Sequence, residues 1–410
     1  DGTALFAARA PTDQQANFIL QANANFRLSA PIFKGERSRD TAASPAPVQD
    51  TDILFNLTGS GWDGSSYKFA SNIDMEAAGT FSASSRPSRI IFRTMAVGTT
   101  TIQTRVTVDS TGNIGFGETA PETLLEMTGA TPYLTLHNDT HEDSDGGRES
   151  RLNFKGEQSG GEETTLARME IGHDGAADDE KGKIVLSTND GSDADTPTDH
   201  VKIDAAGNIY LGDLGGTNQT VIETDGTIRF DGAATVFNDL VVPLSSARVP
   251  AANAPSWDSF VGNLNAYTYD LNDFQEFSTE LAHSYKNATL IEFHIHGAVN
   301  GSNVDERTIK FEIEYSIADV PAEDGFGDVF PATTTINAEL TIPALTTDLT
   351  GFTLDIGDDT SGSFIQGAIV KGRLRRIAST GTEPTSDPFL TEVGLHIESD
   401  TIGTRTSTAK

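Results

Sequence analysis

The sequence predicts an all-β protein: elongated, repeated β modules followed by a C-terminal antiparallel β-sandwich or jelly-roll-like head. Three observations carry this. The chain repeats itself, since residues 105–117 read RVTVDSTGNIGFG and residues 200–212 read HVKIDAAGNIYLG. Val106 falls on Val201, Val108 on Ile203, Asp109 on Asp204, and Gly112-Asn113-Ile114 on Gly207-Asn208-Ile209. Alternating apolar residues around a Gly-Asn turn, recurring at a fixed offset, mark a modular β architecture. The composition agrees: 39 Gly, 36% hydrophobic and 8% aromatic residues suit many short strands and tight turns rather than one large globule. Finally, the last third of the chain carries longer apolar runs separated by Gly, Asp and Pro, as in a sandwich.

The elements follow in order. Residues 1–32 hold two short alternating pairs, Phe18/Leu20 and Phe26/Leu28, and are expected to be an N-terminal docking segment or a tail. Residues 33–50, rich in Pro, Ala, Ser and charge, read as a linker. The first β module is placed at 51–131 and the second at 132–233. The duplication reaches upstream of the turn: Ile90-Ile91-Phe92 matches Ile184-Val185-Leu186, and Ile73-Asp74-Met75 matches Met169-Glu170-Ile171 more loosely. A shorter echo with its own turn, Asp225-Gly226, lies in residues 222–230. Each unit is a run of hairpins with one apolar face. The head is placed at 234–410, with strands expected at 290–298, 308–316, 335–343, 364–377 and 392–399.

Charge excludes some partners. The chain carries 28 Lys+Arg against 60 Asp+Glu, a net charge of −32, so nucleic acid and anionic membranes are not expected to bind. No apolar run approaches the length of a bilayer span, so membrane insertion is not expected either. Only 10 of the basic residues are Lys. An acid-rich, Lys-poor surface stays hydrated in concentrated salt, which points to a halophilic source; an ordinary acidic protein is the alternative. With no Cys, disulfide and thiolate chemistry are absent.

A narrow module with few aromatics buries too little surface alone. Three copies can share one axial core and cover each other's apolar faces and strand edges. The segments at 108–117 and 203–209 resemble the "ID-x-x-GN-(V/I)-x-(I/F)-G" element of tailed-virus fibre and spike proteins, with Val108 where Ile is usual. The run GGRESRLNFKGE at 146–157 resembles that family too, and His283-Ser284-Tyr285-Lys286 with Phe293-His294-Ile295-His296 resembles a head of virion appendages. The resemblance implies a trimeric tail fibre or capsid spike, exposed on the virion. It would dock onto other virion proteins through its N-terminus and attach to a host surface glycan or surface-layer protein. Two other functions stay open: a glycan-degrading tailspike, and a capsid-stabilising decoration without a receptor role.

Few residues invite chemistry. His294 and His296 are two apart on an expected strand, so both point to one face. Around a three-fold axis they would offer six imidazoles, an octahedral metal site that His283 can join; the alternative is a histidine pair with ordinary hydrogen bonds. No other cofactor is expected. The acidic loops at 143–145, 174–180 and 190–195 offer oxygens to calcium, but none has the twelve-residue EF-hand order, and a solvated surface explains them as well. No phosphate loop, zinc helix or nucleophile elbow is visible, so an enzyme is not expected, although paired carboxylates are what glycan hydrolysis needs. In the head, Trp257, Tyr267 and Tyr269 are the candidate binding aromatics, with Phe260, Phe274 and Phe277 nearby; core packing is the other use of such rings. Arg373-Leu374-Arg375-Arg376 is the densest basic cluster, expected to pair with acidic groups of a neighbouring subunit or of a host surface.

Overall fold

The computed structural model describes residues 34–41, 43–192, 196–212, 214, 217–320 and 327–403. The expected docking segment lies outside the described residues, as do Asp193 and Asp195 of the third acidic loop. Among the described residues there is no α-helix; strands dominate, with two short 3-10 turns at Gly232–Ala234 and Leu244–Ser246. The all-β expectation holds. The chain divides into two compact units between Thr135 and Leu136.

In the first unit, β1 (Arg39–Thr41) and β2 (Ser44–Ala46) form a small hairpin. The polar stretch that contains it is not a free spacer: Arg37 and Arg39 both pair with Asp52, and Val48 is buried. Six further strands form one sheet: β3 (Ile53–Trp62), β4 (Tyr67–Ala77), β5 (Ser88–Met95), β6 (Ile102–Val108), β7 (Ile114–Phe116) and β8 (Leu125–Met127). They run in sequence order as an antiparallel meander that closes on the parallel pair β7–β8. Because side chains alternate across a strand, the register aligns apolar residues into rows. One row is Leu57, Ile73, Phe92, Val106, Phe116 and Met127; the next is Phe55, Met75, Ile90, Val108, Ile114 and Leu125.

The second unit begins with the same construction. β9 (Ser150–Glu157), β10 (Glu163–His173), β11 (Gly182–Thr188), β12 (Thr198–Ile203), β13 (Ile209–Gly212), β14 (Gln219–Ile222) and β15 (Ile228–Asp231) form a wholly antiparallel meander. Its rows contain Leu152, Met169, Leu186, Val201 and Leu211, and beside them Ile171, Ile184, Ile203, Ile209, Ile222 and Ile228. The internal repeat is therefore a repeat of sheet register.

Its turns share one chemistry. The N–H of Gly112 donates to the Asp109 carbonyl, that of Gly207 to Asp204, and that of Gly226 to Glu223. All three glycines have φ near +90° (94°, 91° and 87°), where a side chain is strained. The Asp109 carboxylate also accepts the N–H of Thr111 and Asn113 at 2.8 Å, and Asp204 that of Asn208 at 2.9 Å, as Asx turns do.

The head follows in the same unit. β16 (Val236–Pro243) lies along β25 (Phe389–Ser399). β17 (Ser256–Val261) and β18 (Leu264–Thr268) make a hairpin at the edge of the same sheet. The remaining strands are β19 (Phe274–Glu280), β20 (Ile291–Ala298), β21 (Arg307–Ala318), β22 (Thr334–Ile342), β23 (Gly351–Asp359) and β24 (Ile369–Ile377). One sheet has the order β18-β25-β20-β23 and the other β19-β24-β21-β22. That interleaved order is the jelly roll, two Greek keys folded into facing sheets. Its core joins Ile291, Phe293, Ile295, Val393 and Leu395 of the first sheet with Phe311, Ile313, Tyr315, Val370 and Leu374 of the second. Each such side chain contributes about 1.5–3 kcal/mol by leaving water. Phe293 and Tyr315 stack across the sheets at 4.7 Å between ring centroids. The last strand of the meander is tied to the end of the head: the N–H of Phe230 donates to the Asp400 carbonyl at 2.6 Å, and the Thr401 hydroxyl to that of Ile228 at 2.8 Å.

Candidate functional site

Two surfaces hold unusual chemistry: the sheet faces of the meanders and the outer face of the head. In the meanders, burial runs opposite to polarity. The apolar rows of the first sheet lie open, with Leu57 48% and Phe116 46% exposed, whereas Asp74 on the opposite face is 0% exposed. That carboxylate takes hydrogen bonds from Asn56, Asn72 and Arg93, and Arg89 and Arg93 pair with Glu76. The second meander repeats the pattern: Leu152, Ile171, Leu186 and Leu211 are exposed, while Arg151 and Arg168 pair with Glu170 on the other side. Buried ion pairs of this kind hold together only with full hydrogen bonding, which Asp74 has.

On the outer face of the head, β25 lies between β16 and β20. Asp239, His396 and Glu292 are successive cross-strand partners in one row. His294, two residues further along β20, leans over Gly394; a Cβ on that glycine would collide with the imidazole. The His294 ring is 3% exposed, and neither nitrogen has a hydrogen-bond partner. Burial, and then the neighbouring His396, lower its pKa. His294 Nε2 lies 3.6 Å from Asp239 Oδ1, and His396 Nε2 lies 3.7 Å from Asp239 Oδ2. On its other side, His396 Nδ1 lies 3.4 Å from Glu292 Oε2.

The sequence pair His294 and His296 does share a face, with ring centroids 4.9 Å apart. Their partners differ from expectation. His296 Nδ1 meets the Thr353 hydroxyl at 2.9 Å, whereas His294 converges with Asp239 and His396. His294 is covered by its own chain, so it is not available to a six-imidazole site shared between copies. His283 is not in the converging group. Asp239 and His396 escaped the sequence reading because only the pairing of β25 with both β16 and β20 assembles them; the alternation of residues 392–399 was the single local signal for His396.

The aromatic candidates separate. Trp257 and Tyr267 are cross-strand partners on β17 and β18, packed edge to face at 4.6 Å, and Trp257 is 51% exposed. Tyr269 is a correction. It is fully buried, its hydroxyl donates to Gln275, its ring meets Phe311, and burial raises its phenol well above the usual range. Phe277 is likewise in the core. The Arg cluster is corrected too, because its partners are intrachain: Arg373 pairs with Glu314, Arg375 with Glu312, and buried Arg376 with Glu383 and Asp387. The acidic loops are engaged as well. Asp145 binds Lys183, Asp179 binds Lys181 and His173, and the Ser192 hydroxyl donates to Asp190. The Lys181 hydrogen bond, followed by that of His173, holds the Asp179 carboxyl well below the usual carboxylate range.

No family model matches the chain. No curated protein matches it. Among solved structures, the carboxy-terminal domain of the bacteriophage T5 L-shaped tail fibre is 13% identical, with 48% of this chain and 90% of that chain covered and a TM-score of 0.27. The same domain with its intramolecular chaperone is 12% identical, with 83% and 94% covered and a TM-score of 0.27. An exo-β-1,3-galactanase from Phanerochaete chrysosporium is 8% identical, with 88% and 99% covered and a TM-score of 0.19.

Proposed function

We propose that the protein is a homotrimeric virion appendage, a tail fibre or capsid spike, whose jelly-roll head attaches to the host cell surface. One observation carries the reading: both meanders leave rows of apolar residues half-exposed or open to water, while Asp74 and Glu76 in the first and Arg168 and Glu170 in the second are largely covered on the opposite face. A chain folded this way alone would expose large apolar patches, which mark association surfaces. Further copies of the same face are the fitting cover, because both modules present apolar rows at matching register positions. The resemblance of the Gly-Asn turns to virion fibre modules supports placing this trimer on a virus particle.

In this reading the meanders form the stalk, and the N-terminal residues dock onto other virion proteins. The head displays Trp257 and Tyr267 toward a host glycan or surface-layer protein, and several weak contacts sum over three heads. No catalytic step is assigned. Light scattering of the purified protein in low and high salt tests the assembly. A mass three times the 43.6 kDa chain supports it, and a monomer in both salts overturns it. Virions carrying a deletion of 234–410 test the role of the head: they should fail to adsorb to cells. Shortening of host polysaccharide during incubation with the protein would instead favour a glycan-degrading spike.

A further inference from the structure

We propose that Asp239, His294 and His396 form a site for a divalent transition-metal ion of the zinc class on the outer face of the head. The site lies within one chain and needs no three-fold axis. Four observations point to it.

The first is spacing. Asp239 stands 3.6 and 3.7 Å from the two Nε2 atoms, too far for hydrogen bonds. Ligands bonded to one tetrahedral zinc at about 2.0–2.1 Å lie roughly 3.4 Å apart. One ligand atom from each of the three residues lies within 4.8 Å of the other two. The second is the state of His294. Both its ring nitrogens are buried without a partner, a costly arrangement for a polar ring unless something binds it. The third is the room made for it: Gly394 carries no side chain where the imidazole lies. The fourth is the outer carboxylate. Glu292 stands 3.4 Å from His396 Nδ1, the position from which a carboxylate orients a metal-binding imidazole and directs Nε2 at the ion.

Two imidazoles and one carboxylate are the donor set of zinc, cobalt and nickel rather than of calcium or magnesium, which take oxygen ligands. Three protein ligands leave a position for water or an outside ligand. An ion here joins β16, β20 and β25, and so ties the strand that leads into the jelly roll to the middle of its sheet. The head should therefore be more stable with the ion than without it.

The test uses the full chain without an affinity tag, treated with chelator and titrated with Co²⁺ and Zn²⁺. The expected result is one ion per chain with the visible absorption of imidazole-bound Co²⁺, and a rise in the melting temperature of the head with Zn²⁺. His396→Gln, at a half-exposed position, should lose both signals while the chelator-treated variant melts as the chelated wild type does. Glu292→Gln should weaken binding about tenfold, the lower end of the effect of removing such an outer partner. Equal Co²⁺ spectra and equal affinities in wild type and His396→Gln would overturn the proposal and assign the uptake to the acidic surface. Absence of binding by the wild type would overturn it too, leaving water to bridge the three residues.

Discussion

Single residues in this protein act through the space and charge around them. Gly394 is conspicuous because its missing side chain admits the His294 ring. Gly394→Ala is expected to cost about 1–3 kcal/mol, the usual effect of forcing a methyl into a filled site, read as a lower denaturant midpoint. In the first unit, Asp52 takes hydrogen bonds from Arg39 and the Gln49 N–H, which hold its carboxyl at about 2. Its folded pKa lies below the unfolded value, so this contact stabilises fully above about pH 4 and is lost as the pH falls toward 2. Asp52→Asn should thus be less stable than wild type at pH 6, with the gap closing by pH 2 in acid titrations of thermal melting. Histidines at 294 and 296 were legible as a pair because strand alternation puts both on one face. Which of them gains company was not legible, since Asp239 and His396 come from strands remote in sequence.

At the level of elements, the two meanders state the same rule twice. A strand period of two sorts apolar and charged residues onto opposite faces, and the register then aligns each set into rows. Phe92 and Leu186 occupy matching positions in the two copies. Placing Asp at both is expected to yield monomers by light scattering with strand content unchanged by circular dichroism. In the proposed assembly, where further copies would cover this face, an unpaired charge there would cost about 3–5 kcal/mol. The head behaves differently, because its core lies between its own two sheets. Phe311→Ala should destabilise it by about 3–5 kcal/mol without altering the oligomer, separable by comparing melts with mass. The strands at 291–298, 307–318, 334–342, 369–377 and 389–399 were readable from their apolar runs. β23 (Gly351–Asp359) was not, since its Gly and Asp content resembles a turn; its Leu354 and Ile356 supply the core face that completes the sheet.

For the whole molecule, charge opposes association. Each chain carries −32, and bringing three together concentrates that repulsion unless salt screens it. The screening length falls from about 10 Å at 0.1 M to about 3 Å at 1 M salt. If three copies assemble as proposed, with the apolar rows as the attraction, the trimer fraction at fixed protein concentration is expected to rise with salt in sedimentation measurements. An assembly that falls apart as salt rises would show that ion pairs between copies, rather than these faces, hold it together.

The sequence by itself determined the all-β class, the duplication, its turn chemistry and the existence of a sandwich head, because these rest on local spacing: alternation, Gly at positive φ, and short apolar runs. Tertiary structure alone decided the jelly-roll order of the strands, the intrachain partners of the arginines, the burial of Tyr269 and the meeting of Asp239, His294 and His396. Those depend on which remote strands share an edge, and pairing across an edge is set by the packing of two whole sheets rather than by any one segment.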